Sequence, residues 1–365
     1  MNPPPARPQN IFDRWFFGTA RKREFQMDSL DGVRGLAVLW VMLDHARAHG
    51  WTLQPAFHFG SGEVGVFLFF CLSAFLLTLP ICESPDRELA RPRHWANYAV
   101  RRFFRIYPLF IVILLVFFVL QPLAEERPLA ETLPRLWTHL TLRDGYRQLW
   151  TIAVETKFYF MLPFIGVSLH LLRGRPWAQT AVTAALIAEF TFFYPPAAAP
   201  KHSIGLACYL PVFLCGCLGA ALLAAWRRRR PAWLTPRRCE AVALGALAVA
   251  LPLADRILMA RWWPAFDGSR AFILWGMVWS VFVLAHLFGT GLCRAVFAWK
   301  PLRFVGIVSY SAYIWHTVVL SSMKPLLTHV SQVVGTAAFF LVTLAVAAVS
   351  YLVIERPLAR IRLSK

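Results

Sequence analysis

Arg34 and His45 lie eleven positions apart in LDGVRGLAVLWVMLDHARAHG, residues 30–50, a stretch that is otherwise largely apolar. An arginine presents a rigid guanidinium fork to oxyanions. A histidine titrates near neutral pH and is the commonest general base. On a helix the two are separated by roughly 16 Å along the axis, at about 1.5 Å per residue. Eleven steps of about 100° return to within roughly 20° of the starting direction, so both side chains share one face. That face must look onto protein or water, because ionisable groups at lipid depth need partners. Spacing alone leaves structural roles open. Arg34, near the start of the run, can snorkel or pair with Asp31 at i,i+3, and His45 can hydrogen-bond to a neighbouring helix.

Other polar residues recur at comparable depth. LWTIAVETKFYFMLP places Glu155 about two turns into an apolar run, with Tyr159 on its face at i+4 and Lys157 pointing elsewhere; Trp150 at its start is expected to anchor at the membrane interface. VSYSAYIWHTVV carries Ser309, Tyr310, Tyr313 and His316. Each alone is explained by helix–helix hydrogen bonding; together they imply a polar interior cavity. RRFFRIYPLF sets Arg101, Arg102 and Arg105 at the start of another run, either as positive topological anchors or as a clamp for phosphoryl oxygens.

Elements long enough to span a bilayer must position these groups. The 365 residues are 58% hydrophobic and only 16% charged, whereas soluble chains carry about a quarter charged residues. Apolar runs at 33–51, 63–82, 103–121, 149–171, 178–195, 205–226, 239–254, 271–289, 304–322 and 334–354 predict an all-α, polytopic integral membrane protein with about ten transmembrane helices. Lys and Arg concentrate in alternate connections, including the N-terminal segment, residues 83–105, the WRRRRP run and the C-terminal tail, which predicts two cytoplasmic termini. The same placement in short loops argues against nucleic acid as the partner for the net charge of +19. The seven cysteines show no zinc or redox spacing and read as small apolar fillers. No metal site is expected. No cleavable signal is evident in the first 27 residues. The connection 122–148 is expected to lie on the membrane surface or to cover an outer opening, and no internal repeat of the transporter kind stands out.

In this order, LDGVRGLAVLWVMLDH, GEVGVFLFFCLSAFLLT, RRFFRIYPLF, LWTIAVETKFYFMLP, VSYSAYIWH and YLVIERPL resemble the membrane acyltransferase-3 family across nearly the whole chain. The resemblance implies an acyltransferase domain over 28–358, between a cytoplasmic segment 1–27 and a tail 359–365. It also implies acyl-CoA, expected to be acetyl-CoA, as co-substrate, and a carbohydrate or glycoside acceptor outside the cell's plasma (inner) membrane. The family's first-helix arginine and histidine fall on Arg34 and His45, its basic motif on Arg101, Arg102 and Arg105, and its fourth-helix glutamate on Glu155. Three positions depart from the pattern: Ser73-Ala74-Phe75 stands for Ser-Gly-Phe, Glu155-Thr156-Lys157 replaces an acidic-then-Gln pair, and Asp44 precedes His45.

The expectation is therefore catalysis by His45 as general base, with Arg34 steering the donor and Glu155 orienting His45. Arg101, Arg102 and Arg105 are expected to bind the CoA phosphates. Ser309, Tyr310, Tyr313 and His316 are expected on the substrate side, with a hydroxyl of Ser309, Tyr310 or Tyr313 stabilising the oxyanion. A proton-coupled transporter and a catalytically silent membrane partner of glycan assembly are the competing expectations.

Overall fold

The computed structural model describes residues 10–17, 27–48, 50–51, 62–120, 133–145, 147–200, 202–254, 261–263, 267–324 and 330–363. Among the described residues the chain is helical throughout, with no strand. The first half contains α1 (Asp28–Ala48), α2 (Glu63–Glu83), α3 (Asp86–Leu89), α4 (Pro92–Leu120), α5 (Leu133–Leu140), α6 (Trp150–Leu171) and α7 (Pro176–Phe193). The second contains α8 (Leu206–Arg228), α9 (Pro236–Ala254), α10 (Phe272–Phe288), α11 (Leu292–Phe297), α12 (Lys300–Ile307), α13 (Ser309–Met323) and α14 (Gln332–Ser350). A π-helical turn, Tyr351–Glu355, leads into the short α15 (Arg356–Leu358).

A helix lies on each of the ten apolar runs, but length and apolarity single out fewer as spans. Five are long and apolar enough to cross a membrane: Glu63–Glu83, Pro92–Val119, Arg147–Leu171, Leu206–Arg228 and Gln332–Leu358. The bent pair α12–α13 makes six. α1 departs because Asp28, Asp31, Arg34, Asp44, His45 and Arg47 interrupt its apolar surface, and α10 because it has only 17 residues. Helices suit this sequence because every backbone donor and acceptor is satisfied within the segment. Large apolar side chains such as Phe160, Phe164, Phe192 and Leu341 stand exposed on the outer faces, the surface a lipid solvent would cover.

At the centre, α2 and α8 pack along their lengths, flanked by α6 and α10. Phe213 of α8 stacks on Phe70 of α2 at 4.5 Å and on Phe158 of α6 at 4.1 Å, so one ring locks three helices. Where the sequence has Ala74 in place of the family's glycine, Gly216 of α8 supplies the room: a Cβ on Gly216 would stand 3.0 Å from that of Ala74. All seven cysteines are buried and free, consistent with apolar filling. Trp150 corrects the interfacial reading: it is buried, stacked on His202 and packed against Phe70 and Tyr209.

Among the described residues α1 lies tightly against α12 and the end of α11. A Cβ on Gly32 would strike the backbone of Phe297, one on Gly35 the carbonyl of Leu302, and one on Gly306 the carbonyl of Asp31. The two glycines flanking Arg34 therefore let α1 lie backbone-to-backbone on the segment that leads into α13. That segment bends by 74° between α12 and α13. Asp44 has a structural task beside His45: its carboxylate accepts from the backbone N–H of Gly62, just before α2, at 2.8 Å, and from Arg47 at 3.1 Å. At the opposite end, hydrogen bonds from Arg173 and His170 tie the α3 turn to the end of α6 and pull the Asp86 carboxyl down to about 2.

The connection after α4 was expected at 122–148. Residues 121–132 lie outside the described ones, and the rest contains α5, with Trp137 exposed and His139 buried. Crowding at the α1–α12 crossing sets a stability test. Gly306→Ala should lower thermal stability in detergent by about 1–3 kcal/mol, the usual cost of overpacking. Gly245→Ala, where a Cβ meets nothing within 4 Å, should leave it unchanged or raise it by up to about 1 kcal/mol.

Candidate active site

A cavity of about 140 Å³ lies between α1, α2, α4, α6 and α13. Its walls change character in step along three helices. Moving four residues, about 6 Å, takes Ser73 to Phe69 on α2, Glu155 to Thr151 on α6, and Ser309 to Tyr313 on α13. The end nearest His45 is lined by Val66, Phe69, Phe70, Thr151, Ile152 and Tyr313. Arg34, Leu72, Ser73, Glu155 and Ser309 form the middle, and Leu76, Leu77, Arg102, Arg105, Tyr159 and Tyr310 the far end. The cationic groups of the cavity are thus confined to its middle and far end, and the end nearest His45 has none.

The three arginines on its wall are not equivalent. Arg105 Nη1 donates to Glu355 Oε2 at 2.7 Å, and Glu355 is buried. The same carboxylate accepts a short hydrogen bond from Ser311, whose Oγ in turn can accept from Ser350 at 3.2 Å, while Trp315 Nε1 donates to Ser350 Oγ. Arg105 also lies over the Tyr310 ring at 5.7 Å. Its charge is therefore committed. Arg34 has no hydrogen bond or ion pair among the described residues; Asp31, its expected i,i+3 partner, instead faces Arg303 at 4.0 Å. Arg102 lies over the Tyr159 ring at 5.8 Å, and its buried Nε has no partner. Arg101 is exposed and outside the cavity, close enough to Arg362 for their charges to repel.

Glu155 faces the cavity but does not hold His45. Its Oε1 accepts from Ser73 Oγ at 2.6 Å and from the Tyr159 hydroxyl at 2.6 Å, and its charge acts on Arg34. Lys157 points away, as expected, and donates to the Ile204 carbonyl at 2.8 Å. The phenols expected to serve as oxyanion donors are already used: Tyr310 donates to the Ile106 carbonyl at 2.8 Å and Tyr313 to the Gln148 carbonyl at 3.1 Å. Ser309, fully buried at the first position of α13, has an Oγ with no partner.

His45 and His316 form a separate cluster beyond the apolar end. Their rings meet edge to face, centroids 4.7 Å apart, and neither lines the cavity. His45 Nδ1 lies 2.9 Å from the Val41 carbonyl and His316 Nδ1 2.6 Å from the Tyr313 carbonyl. A carbonyl only accepts, so each Nδ1 carries the hydrogen, and in the neutral ring each Nε2 is the basic nitrogen. Among the described residues, no group of three or more His, Cys, Asp or Glu is arranged to hold a metal ion.

A family model described as an acyltransferase domain matches residues 27–355. The chain belongs to the membrane acyltransferase-3 family. It is 24% identical over 372 residues to the peptidoglycan O-acetyltransferase OatA of Listeria monocytogenes, covering 94% of this chain and 57% of that protein. It is 25% identical over 369 residues to a Bacillus subtilis protein named "Putative peptidoglycan O-acetyltransferase YrhL", covering 90% and 54%. A Komagataeibacter xylinus protein named "Putative membrane-bound transacylase BcsY" is 24% identical over 383 residues, covering 97% and 87%. The chain therefore spans little more than half the length of the first two. No solved structure matches it.

Two residues of this acyltransferase cavity escape sequence reasoning. Ser73 sits in the quoted second-helix motif, but only the fold brings it onto Glu155. Glu355 sits in YLVIERPL, 250 residues from Arg105; an intramembrane carboxylate beside an arginine-rich run was its available signal. Breaking this pair should be costly. Arg105→Gln leaves the buried Glu355 uncompensated and should lower thermal stability towards the lower end of about 3–5 kcal/mol, because about a fifth of Arg105 remains exposed. Arg101→Gln should leave stability within about 0.5 kcal/mol.

Proposed function

We propose that this chain is an integral membrane O-acyltransferase that moves an acyl group, acetyl in the first instance, from cytoplasmic acyl-CoA to a hydroxyl of an extracytoplasmic carbohydrate or glycoside. The observation that carries the reading is the graded cavity: two uncommitted guanidiniums, Arg34 and Arg102, at its cationic part, and an apolar end directed towards the His45–His316 pair. The names of the relatives, which act on or are assigned to peptidoglycan, favour a cell-envelope glycan as acceptor. The proposed setting is the plasma membrane, with both termini cytoplasmic and the helices outside the six length-qualified spans also crossing.

A cavity of about 140 Å³ holds the acyl and thiol end of the donor and leaves the nucleotide outside. Arg34 and Arg102 draw in the donor's polar arm, and Arg101 with Arg362 supply positive charge at the mouth for its phosphates. Glu155 balances Arg34 across the cavity. As the acceptor hydroxyl attacks the thioester carbonyl, its proton passes to His45 Nε2. A C–O bond forms, the C–S bond breaks, and the proton leaves His45 for the CoA thiolate. Ser309 Oγ, at the start of α13, is the hydroxyl available to the transient oxyanion.

The test is release of CoA thiol from acetyl-CoA by the detergent-purified chain, with and without candidate glycans. Glycan-stimulated release is expected. His45→Ala should reduce it by about 10²–10⁴-fold, the usual contribution of a positioned base. Arg102→Ala should act mainly through a higher KM for the donor. Native rates in His45→Ala would remove His45 from the chemistry.

A further inference from the structure

One residue joins the apolar end of the cavity to the histidine pair. Tyr313 lines the cavity, with its ring 6.2 Å from Phe69 on the cavity side. The same ring is 5.6 Å from His316, which touches His45. Tyr313 therefore adjoins both the donor cavity and the histidine pair. It is also held from its tip. Its hydroxyl donates to the Gln148 carbonyl at 3.1 Å and accepts from Thr151 Oγ1 at 3.0 Å. Gln148 itself is buried, and its Nε2 donates to Thr317 Oγ1 at 2.6 Å and to the Ile314 carbonyl at 3.2 Å. The turn before α6 thus clamps the stretch of α13 that carries both Tyr313 and His316.

We infer that Tyr313 is the specificity-determining residue for the acyl group: its ring, fixed by Gln148 and Thr151, ends the donor cavity and admits only short acyl chains. The inference rests on the acyl-CoA reading above. The walls give the donor its direction, because its polar arm belongs beside Arg34 and Arg102 and its acyl group beside Val66, Phe70 and Ile152. A chain extended by several methylenes in that direction meets the phenol ring face. A ring latched at its tip and packed against Phe69 and His316 yields little. Pockets of this kind discriminate by roughly tenfold or more for each methylene they cannot accommodate.

The experiment compares acetyl-CoA with hexanoyl-CoA as donors for the full chain in detergent, reading thiol release and, separately, competition of each acyl-CoA against bound CoA. The native chain should prefer acetyl-CoA by at least about tenfold in kcat/KM. In Tyr313→Ala the preference should fall at least about tenfold, with hexanoyl-CoA gaining in both readouts. Tyr313→Phe keeps the ring and should keep the preference while losing rate. Tyr313→Leu gives an intermediate length and serves as the second shortened variant if the alanine protein does not fold. An unchanged acetyl-to-hexanoyl ratio in both shortened variants overturns the assignment of Tyr313 but leaves the acyltransferase reading standing. Absence of both thiol release and competition with any acyl-CoA in the native chain overturns the acyl-CoA reading itself.

Discussion

A guanidinium carried at bilayer depth must be enclosed by protein, and the position of Arg34 depends on how closely α1 can approach its neighbour. Gly32 and Gly35 on α1, with Gly306 just before the 74° bend, let two backbones touch where any side chain would separate them. The contact does more than bury a charge. It fixes α1 against α12, and the bend then sends α13 across the cavity so that Ser309, Tyr310 and Tyr313 face the same space as Arg34. A looser crossing would move Arg34 relative to Ser309 and open the cavity towards lipid. The glycines beside Arg34 are therefore part of how the arginine is positioned.

Charge inside the cavity is partitioned by the same economy. Three arginines sharing so small a space repel one another, and the interior cannot solvate them as water does. Glu355 fixes one of them, and the ring faces of Tyr159 and Tyr310 sit under Arg102 and Arg105. What remains uncommitted is Arg34 and Arg102, with Glu155 opposite. The hydroxyls of Ser73 and Tyr159 occupy one Glu155 oxygen, so its charge stays in the cavity rather than reaching the histidines.

Much of this was legible from residue types. The polar group Ser309, Tyr310 and Tyr313 does line a common cavity with Arg34, Arg102, Arg105 and Glu155, whereas His45, expected on the same helix face as Arg34, does not line it. Partnerships were less legible because they depend on helix packing. Nothing in a one-dimensional pattern pairs Arg105 with Glu355, gives Tyr313 to Gln148, or turns Trp150 inward onto His202. Arg101 and Arg105 look alike in RRFFRIYPLF, yet four positions on a helix advance only about 40° beyond a full turn, and depth then separates them. Arg101 remains in the exposed first turns while Arg105 enters the bundle. The span count depends on a different effect: Arg34 faces the cavity, Asp28 and Asp31 face Arg303, and Asp44 holds Arg47 and Gly62, and together these charges lower the apolarity of α1.

On the proposed reading, separation of the histidine pair from the arginines suits the chemistry. A general base beside Arg34 and Arg102 would be surrounded by positive charge as it took up a proton, and the imidazolium would be disfavoured there. Placing His45 against His316, with each Nδ1 tied to a backbone carbonyl, would present a basic Nε2 outside the cavity that Arg34 and Arg102 line. The cost is that the two halves of the reaction need a defined meeting point. The only extent of the cavity that approaches the pair is its apolar end, where a thioester carbonyl would stand if its acyl group lay against Phe70 and Ile152. On that reading the distance between the cation cluster and His45 is the length of donor the protein has to hold, and the helices would set that length before any substrate arrives.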